Sequence, residues 1–205
     1  MGFLRLSAQN KFVFLNQSLI FLYLENLKLT FMITPNHLSV LGIVHTAISI
    51  LAILAAFYAL FRSGKINPNA GPGKWYTWLT ILTCVTGLPI MRFGHPTAGH
   101  YLAIIILLLL PIGIYARRMR FLGKLGEYIQ VVAMSTTLFL SCIPLIVESL
   151  TRLPISHPIA YGPDDPLLKN ALTGLLILYA IGVIYQIIKL RTKSKTPPSL
   201  NSAVN

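Results

Sequence analysis

Charge is scarce in this chain. Lys, Arg, Asp and Glu make up 11% of its 205 residues, where an ordinary soluble domain carries about a quarter. That excludes a conventional water-soluble fold, and the length leaves no room for a separate soluble domain beside a set of membrane spans. Cysteine is nearly absent. The two present, Cys84 and Cys142, stand singly in apolar runs, far from any CxxC or Cys/His pattern, and read as small packing residues. Sequence signatures of soluble chemistry are missing as well. No GxSxG, HExxH or P-loop spacing occurs, which argues against a soluble-type hydrolase. There is no obvious internal repeat and no pair of broken helices, the usual pointers to a transporter, and this counts against a transporter reading.

Apolar sequence fills the space. Hydrophobic residues are 55% of the chain, and the mean hydropathy is +0.70. The clearest run, Tyr101–Ala116 (YLAIIILLLLPIGIYA), ends at once in Arg117, Arg118 and Arg120. Runs of this kind predict an all-α integral membrane bundle of five transmembrane helices, near His37–Phe61, Trp75–Met91, His100–Ala116, Tyr128–Glu148 and Leu168–Ile188. Asn36 is a candidate N-cap for the first. Trp75, Tyr76 and Trp78 open the second as an aromatic belt. Residues 12–34 are apolar but interrupted by Asn16, Gln17, Glu25, Asn26 and Lys28. A Glu or Lys at the bilayer centre costs about 2.5–3.5 kcal/mol on insertion scales. Residues 1–35 are therefore expected to be an extension or interfacial helix; the count becomes six if 12–34 do span. Met32 is an alternative start, and no signal peptide is expected. Residues 36–190 form the membrane domain, and 191–205 a disordered cytoplasmic tail.

The balance of 17 basic against 5 acidic residues, net +12, invites a nucleic-acid reading, but no soluble basic module exists to support one. Eleven of the 17 fall in two loops and the tail: Arg62, Lys65 and Lys74; Arg117, Arg118, Arg120 and Lys124; Lys189, Arg191, Lys193 and Lys195. In a five-span bundle these segments share one side, while the other side holds Arg92, Arg152 and Lys169 with Glu148, Asp164 and Asp165. The positive-inside rule makes the first side, and the C-terminus, cytoplasmic. The partner this implies is the lipid bilayer, with contact to anionic headgroups.

So oriented, all five histidines, His37, His45, His95, His100 and His157, fall toward the outer side. His45 shares a helical face with Gly42, Ser49, Ala52 and Ala56. Small residues on one stripe mark close helix approach, so His45 is expected to face the bundle. The second span shows a like stripe, Thr77, Thr80, Cys84 and Gly87, and the fourth offers Thr137, Ser141, Pro144 and Glu148. Glu148 and Arg152, four apart, are placed to pair.

The histidine in a small-residue first span (LGIVHTAISILAILAAFYAL), the FRSGK turn after it and the exit VESLTRLP of the fourth span resemble a family of small bacterial multi-spanning membrane proteins known only as a domain of unknown function. The match covers about residues 38–155. That family typically carries a histidine after its first turn, where this chain reads GPGKWYTW. The resemblance implies a fold and a bacterial inner-membrane location, and points to His45, Arg62, His100, Glu148 and Arg152 as matching positions; it implies no chemistry.

Three functional classes follow. In the first, His45 and His100 ligate a haem for electron transfer, with Arg92 or Arg152 on its propionates, or His45, His100 and Glu148 hold a Zn or Cu ion. In the second, His45 and Glu148 titrate in turn in a small proton-linked transporter. In the third, the chain is a structural or accessory subunit without ligand, joined to another membrane protein or to a second copy. The charge distribution makes a direct prediction for topology: a reporter fused after Lys195 reads cytoplasmic and one inserted near Pro163 reads external. An external C-terminus would reverse the orientation and carry the histidines with it.

Overall fold

The structure, a computed structural model, describes residues 40–90, 94–154 and 157–195. The chain divides into two compact units, Met1–Ile43 and Val44–Asn205. Only 40–43 of the first are described, so the expected extension at 1–35, the ambiguous segment 12–34 and His37 lie outside the described residues. So do Arg92 and residues 196–205.

The described chain is helical throughout: α1 (Val40–Ser63), α2 (Gly71–Gly87), α3 (Ala98–Tyr115), α4 (Leu125–Arg152) and α5 (Pro166–Lys195), with two 3-10 turns, Ala116–Arg118 and Arg120–Leu122, between α3 and α4. Each expected span is matched by a helix. Four are long and apolar enough to cross a membrane: α1, α3 with its 3-10 extension, α4 and α5. The fifth, α2, has 17 residues, a rise of about 25 Å against a hydrocarbon core of about 30 Å.

Local chemistry explains where the helices depart from expectation. α2 starts at Gly71 rather than Trp75 because Pro72 suits a first turn, where its missing N–H is not needed. It stops at Gly87 rather than Met91 because Pro89 has no N–H to continue the ladder. α5 runs to Lys195, past the expected end at Ile188 and into the segment read as tail, since no Gly or Pro stands between Ile188 and Pro197. At its other end Asp165 caps it. The carboxylate accepts the N–H groups of Leu167 (2.9 Å) and Tyr161 (3.0 Å), and these bonds hold its carboxyl below the usual carboxylate range.

α4 is the centre of the bundle, packing against both α3 and α5. Two glycines set the α3–α4 contact. A side-chain carbon at Gly126 would stand 2.4 Å from the carbonyl oxygen of Ala116, and one at Gly113 would stand 2.6 Å from Met134 Sδ. Around them are buried Ile106, Leu110, Val131, Met134 and Leu138, with Tyr76 of α2 and Ala52, Ala56 and Ala59 of α1. Polar side chains cross between helices. Tyr76 donates to Thr137 Oγ1 (2.9 Å), Gln130 Nε2 to the Gly113 carbonyl (2.9 Å) and Ser135 to Gln186 Oε1 (2.7 Å), while Thr136 and Tyr179 share a bond of 2.8 Å. In a membrane, where burying apolar surface does not drive helix association, such contacts and close backbone approach hold the bundle.

One end of the bundle is basic. Lys65 pairs with Glu127 (2.5 Å), Arg118 donates to Asn69 Oδ1 (3.0 Å), Asn69 donates to the Ile114 carbonyl (3.2 Å), and the Lys189 ammonium lies beside Gly64. The α1–α2 loop, the α3–α4 connection and the end of α5 therefore meet, as the alternating charge pattern requires. The packing predicts a contrast between two glycines. Gly126→Ala forces a carbon into the Ala116 carbonyl and should cost about 1–3 kcal/mol. Gly174→Ala on α5, where nothing lies within 4 Å, should be neutral or gain up to about 1 kcal/mol. Denaturant unfolding in detergent distinguishes them, and equal effects would contradict the close approach.

Candidate functional site

Of the polar side chains singled out in the sequence, His45, His95, His100, Glu148, Arg152 and His157 lie toward the opposite end. His45, six residues into the described α1, is half-buried, and Ala52 and Ala56 of its stripe are buried, so the expected inward face is present. Its ring packs on Gly87 of α2, where an added side-chain carbon would stand 2.9 Å from Cε1. His45 Nδ1 lies 3.2 Å from Thr86 Oγ1. The Thr86 hydroxyl has one proton, and the Leu82 carbonyl is 2.8 Å away to take it. Thr86 then accepts from His45, so Nδ1 carries the imidazole proton and Nε2 keeps its lone pair.

His100 has the opposite arrangement. Buried at the start of α3, it completes a capping box: the Thr97 side chain receives the His100 N–H, and His100 Nδ1 accepts the Thr97 backbone N–H at 3.0 Å. A backbone N–H can only donate, so Nδ1 is the acceptor and Nε2 carries the proton. That Nε2 is buried and has no hydrogen-bond partner among the described residues; Thr80 Oγ1 and Thr83 Oγ1 on α2 share this condition. The sequence reading did not foresee the cap. Thr97 followed three residues later by a hydrogen-bonding side chain is its signal, masked because the usual residue there is Glu or Gln.

These geometries bear on the ligand readings. Haem iron takes a lone pair from imidazole nitrogen, and the capped tautomer of His100 offers none at Nε2, so ligation there would require the cap to open. Of the residues proposed for the propionates, Arg152 is engaged with Glu148 at the end of α4, and Arg92 lies outside the described residues. Among the described residues no group of three or more His, Cys, Asp or Glu side chains is placed to hold a metal ion, so His45, His100 and Glu148 do not assemble as one. The arrangement lends no support to haem or metal.

Glu148 is exposed rather than turned into the bundle with Thr137 of the same predicted face, and its ion pair with Arg152 has both side chains about half open (49% and 46%). His95 and His157 are exposed in loops, and Arg62 is exposed at the basic end. What the structure brings together is therefore smaller than the set proposed: His45, Thr86 and Gly87.

Comparison with protein families, curated proteins and solved structures finds no match to this chain.

The capping role of His100 can be tested by chemistry. Gln at the third helical position also completes a capping box, so His100→Gln should keep the thermal stability of the parent, whereas His100→Ala should lose about 1 kcal/mol. Equal losses, read by thermal unfolding in detergent, would rule out the cap as the role of the ring.

Proposed function

We propose that this chain is a small proton-linked transport protein of the bacterial inner membrane, with five spanning helices including the short α2, and with its C-terminus cytoplasmic. Four helices long and apolar enough to span support a membrane location. The gathering of the basic connections at one end supports the orientation.

One observation carries the functional part. His45 is a titratable side chain within a span, with its Nδ1 on Thr86, its ring packed on Gly87 and a lone pair left on Nε2. An ionisable group within a span marks a functional site by default, and proton relays are one such class. Near the same end of the bundle, Thr80, Thr83 and His100 each present a buried polar atom without a partner among the described residues. Such atoms favour ordered water, and a proton path through lipid needs water or polar side chains. In this reading Nε2 of His45 accepts the proton, and Glu148, exposed toward the same end in its pair with Arg152, is the second group in the transfer.

A second reading also rests on an observation. Tyr76, Thr137, Gln130, Ser135, Gln186, Thr136 and Tyr179 are all engaged in holding helix to helix, which suits an accessory subunit whose polar groups serve assembly alone.

The two are separated in vesicles. The purified chain reconstituted with an imposed pH gradient should dissipate it several times faster than empty vesicles. His45→Ala should abolish the difference, and Glu148→Gln should weaken it and move its pH dependence. No flux above empty vesicles from the parent chain would favour the accessory reading. A Soret band or bound metal in the same sample would return the ligand readings to the front.

A further inference from the structure

The basic end carries a second surface that the transport reading does not use. Between α3 and α4 the chain turns through the two 3-10 turns, with Met119 extended between them. This stretch exposes Arg117, Arg118, Arg120 and Lys124. It also exposes large apolar groups: Phe121 is 83% open, and Leu125 and Met119 are open too. Arg118 is held, donating to Asn69 and lying over the Tyr115 ring. Arg117, Arg120 and Lys124 have no ion-pair partner among the described residues. Glu127 is the one acidic residue at this end among those described, and it is paired with Lys65. The patch is therefore cationic without local compensation.

Its position selects the partner. α3 with its 3-10 extension, Ala98–Arg118, is a candidate span of 21 residues, a length of about 30 Å, so the connector leaves at the boundary of the hydrocarbon core. A connector leaving at that level runs along the headgroups. An aromatic side chain flanked by Arg and Lys at this depth places the ring at the acyl boundary and the cations among phosphates. A soluble acidic partner would explain the cations but leave Phe121 and Leu125 in water.

We infer that the Arg117–Leu125 connector is a binding surface for anionic phospholipid headgroups, with Arg117, Arg120 and Lys124 on the phosphates and Phe121 inserted beside them. Arg118 is the internal brace that fixes the connector to the α1–α2 loop through Asn69. Each basic residue at such a surface favours an anionic leaflet by roughly fivefold, so three acting together give a preference well above that of a generic membrane protein.

The test uses the full chain in vesicles. Phe121→Trp is made in a background of Trp75→Phe and Trp78→Phe, both of which replace exposed rings. The protein is reconstituted in phosphatidylcholine containing a fixed fraction of either brominated phosphatidylglycerol or brominated phosphatidylcholine. The anionic brominated lipid should quench the emission at least twofold more than the neutral one, and high salt should reduce the difference. Adding Arg117→Gln, Arg120→Gln and Lys124→Gln should abolish the preference while circular dichroism stays unchanged. Equal quenching by the two lipids overturns the inference, as does a preference that survives the triple variant. Emission insensitive to both lipids but shifted by an acidic peptide would assign the patch to a protein and overturn it as well.

Discussion

The close approach of α3 and α4 governs this molecule. With Gly126 against the Ala116 carbonyl, the end of one helix and the start of the next are almost in backbone contact. The intervening residues have no freedom to rise into a loop and wind into two 3-10 turns instead. Four cations are thereby crowded onto one edge. The same contact aligns α4 so that Gln130 reaches the Gly113 carbonyl and Thr137 meets Tyr76, which recruits α2. α5 then follows α4 through Ser135–Gln186 and Thr136–Tyr179. Each polar bond between helices is individually modest, on the order of 0.6 kcal/mol in membrane proteins. Their joint effect rests on the glycine contact that brings the backbones within reach.

Much of the architecture is legible in the sequence because lipid is a demanding solvent. Every backbone polar group must be satisfied within the chain, so long apolar runs translate directly into helices, and clusters such as Arg117–Arg120 mark their ends. The stripe of Gly42, His45, Ser49, Ala52 and Ala56 gave the inward direction of α1 correctly, since small residues record where another helix comes near. The i,i+4 spacing of Glu148 and Arg152 likewise gave their ion pair.

The candidate site was less legible, and particular residues show why. His100 was read as a ligand from its place toward the outer side and from the resemblance, but neither reveals a tautomer. The Thr97 backbone N–H decides which nitrogen of the ring is available, and a backbone group leaves no mark in a side-chain pattern. Glu148 was assigned to the interior from its helical face, but it lies near the end of α4, exposed and paired with Arg152. The start of α2 was misplaced by four residues because the aromatic belt was read as the helix opening, when Pro72 sets the first turn.

The brevity of α2 has a consequence for the bilayer itself. If α2 spans as proposed, a helix of about 25 Å stands in a core of about 30 Å, and the mismatch is met by the lipid thinning around it or by flanking side chains reaching outward. Thr86 and Gly87, the residues that hold His45, form the last turn of that helix. A dimple in the leaflet would therefore open directly above the imidazole, shortening its distance to bulk water without any pore through the bundle. Membrane thickness would then act on this protein as a setting of how readily His45 exchanges its proton.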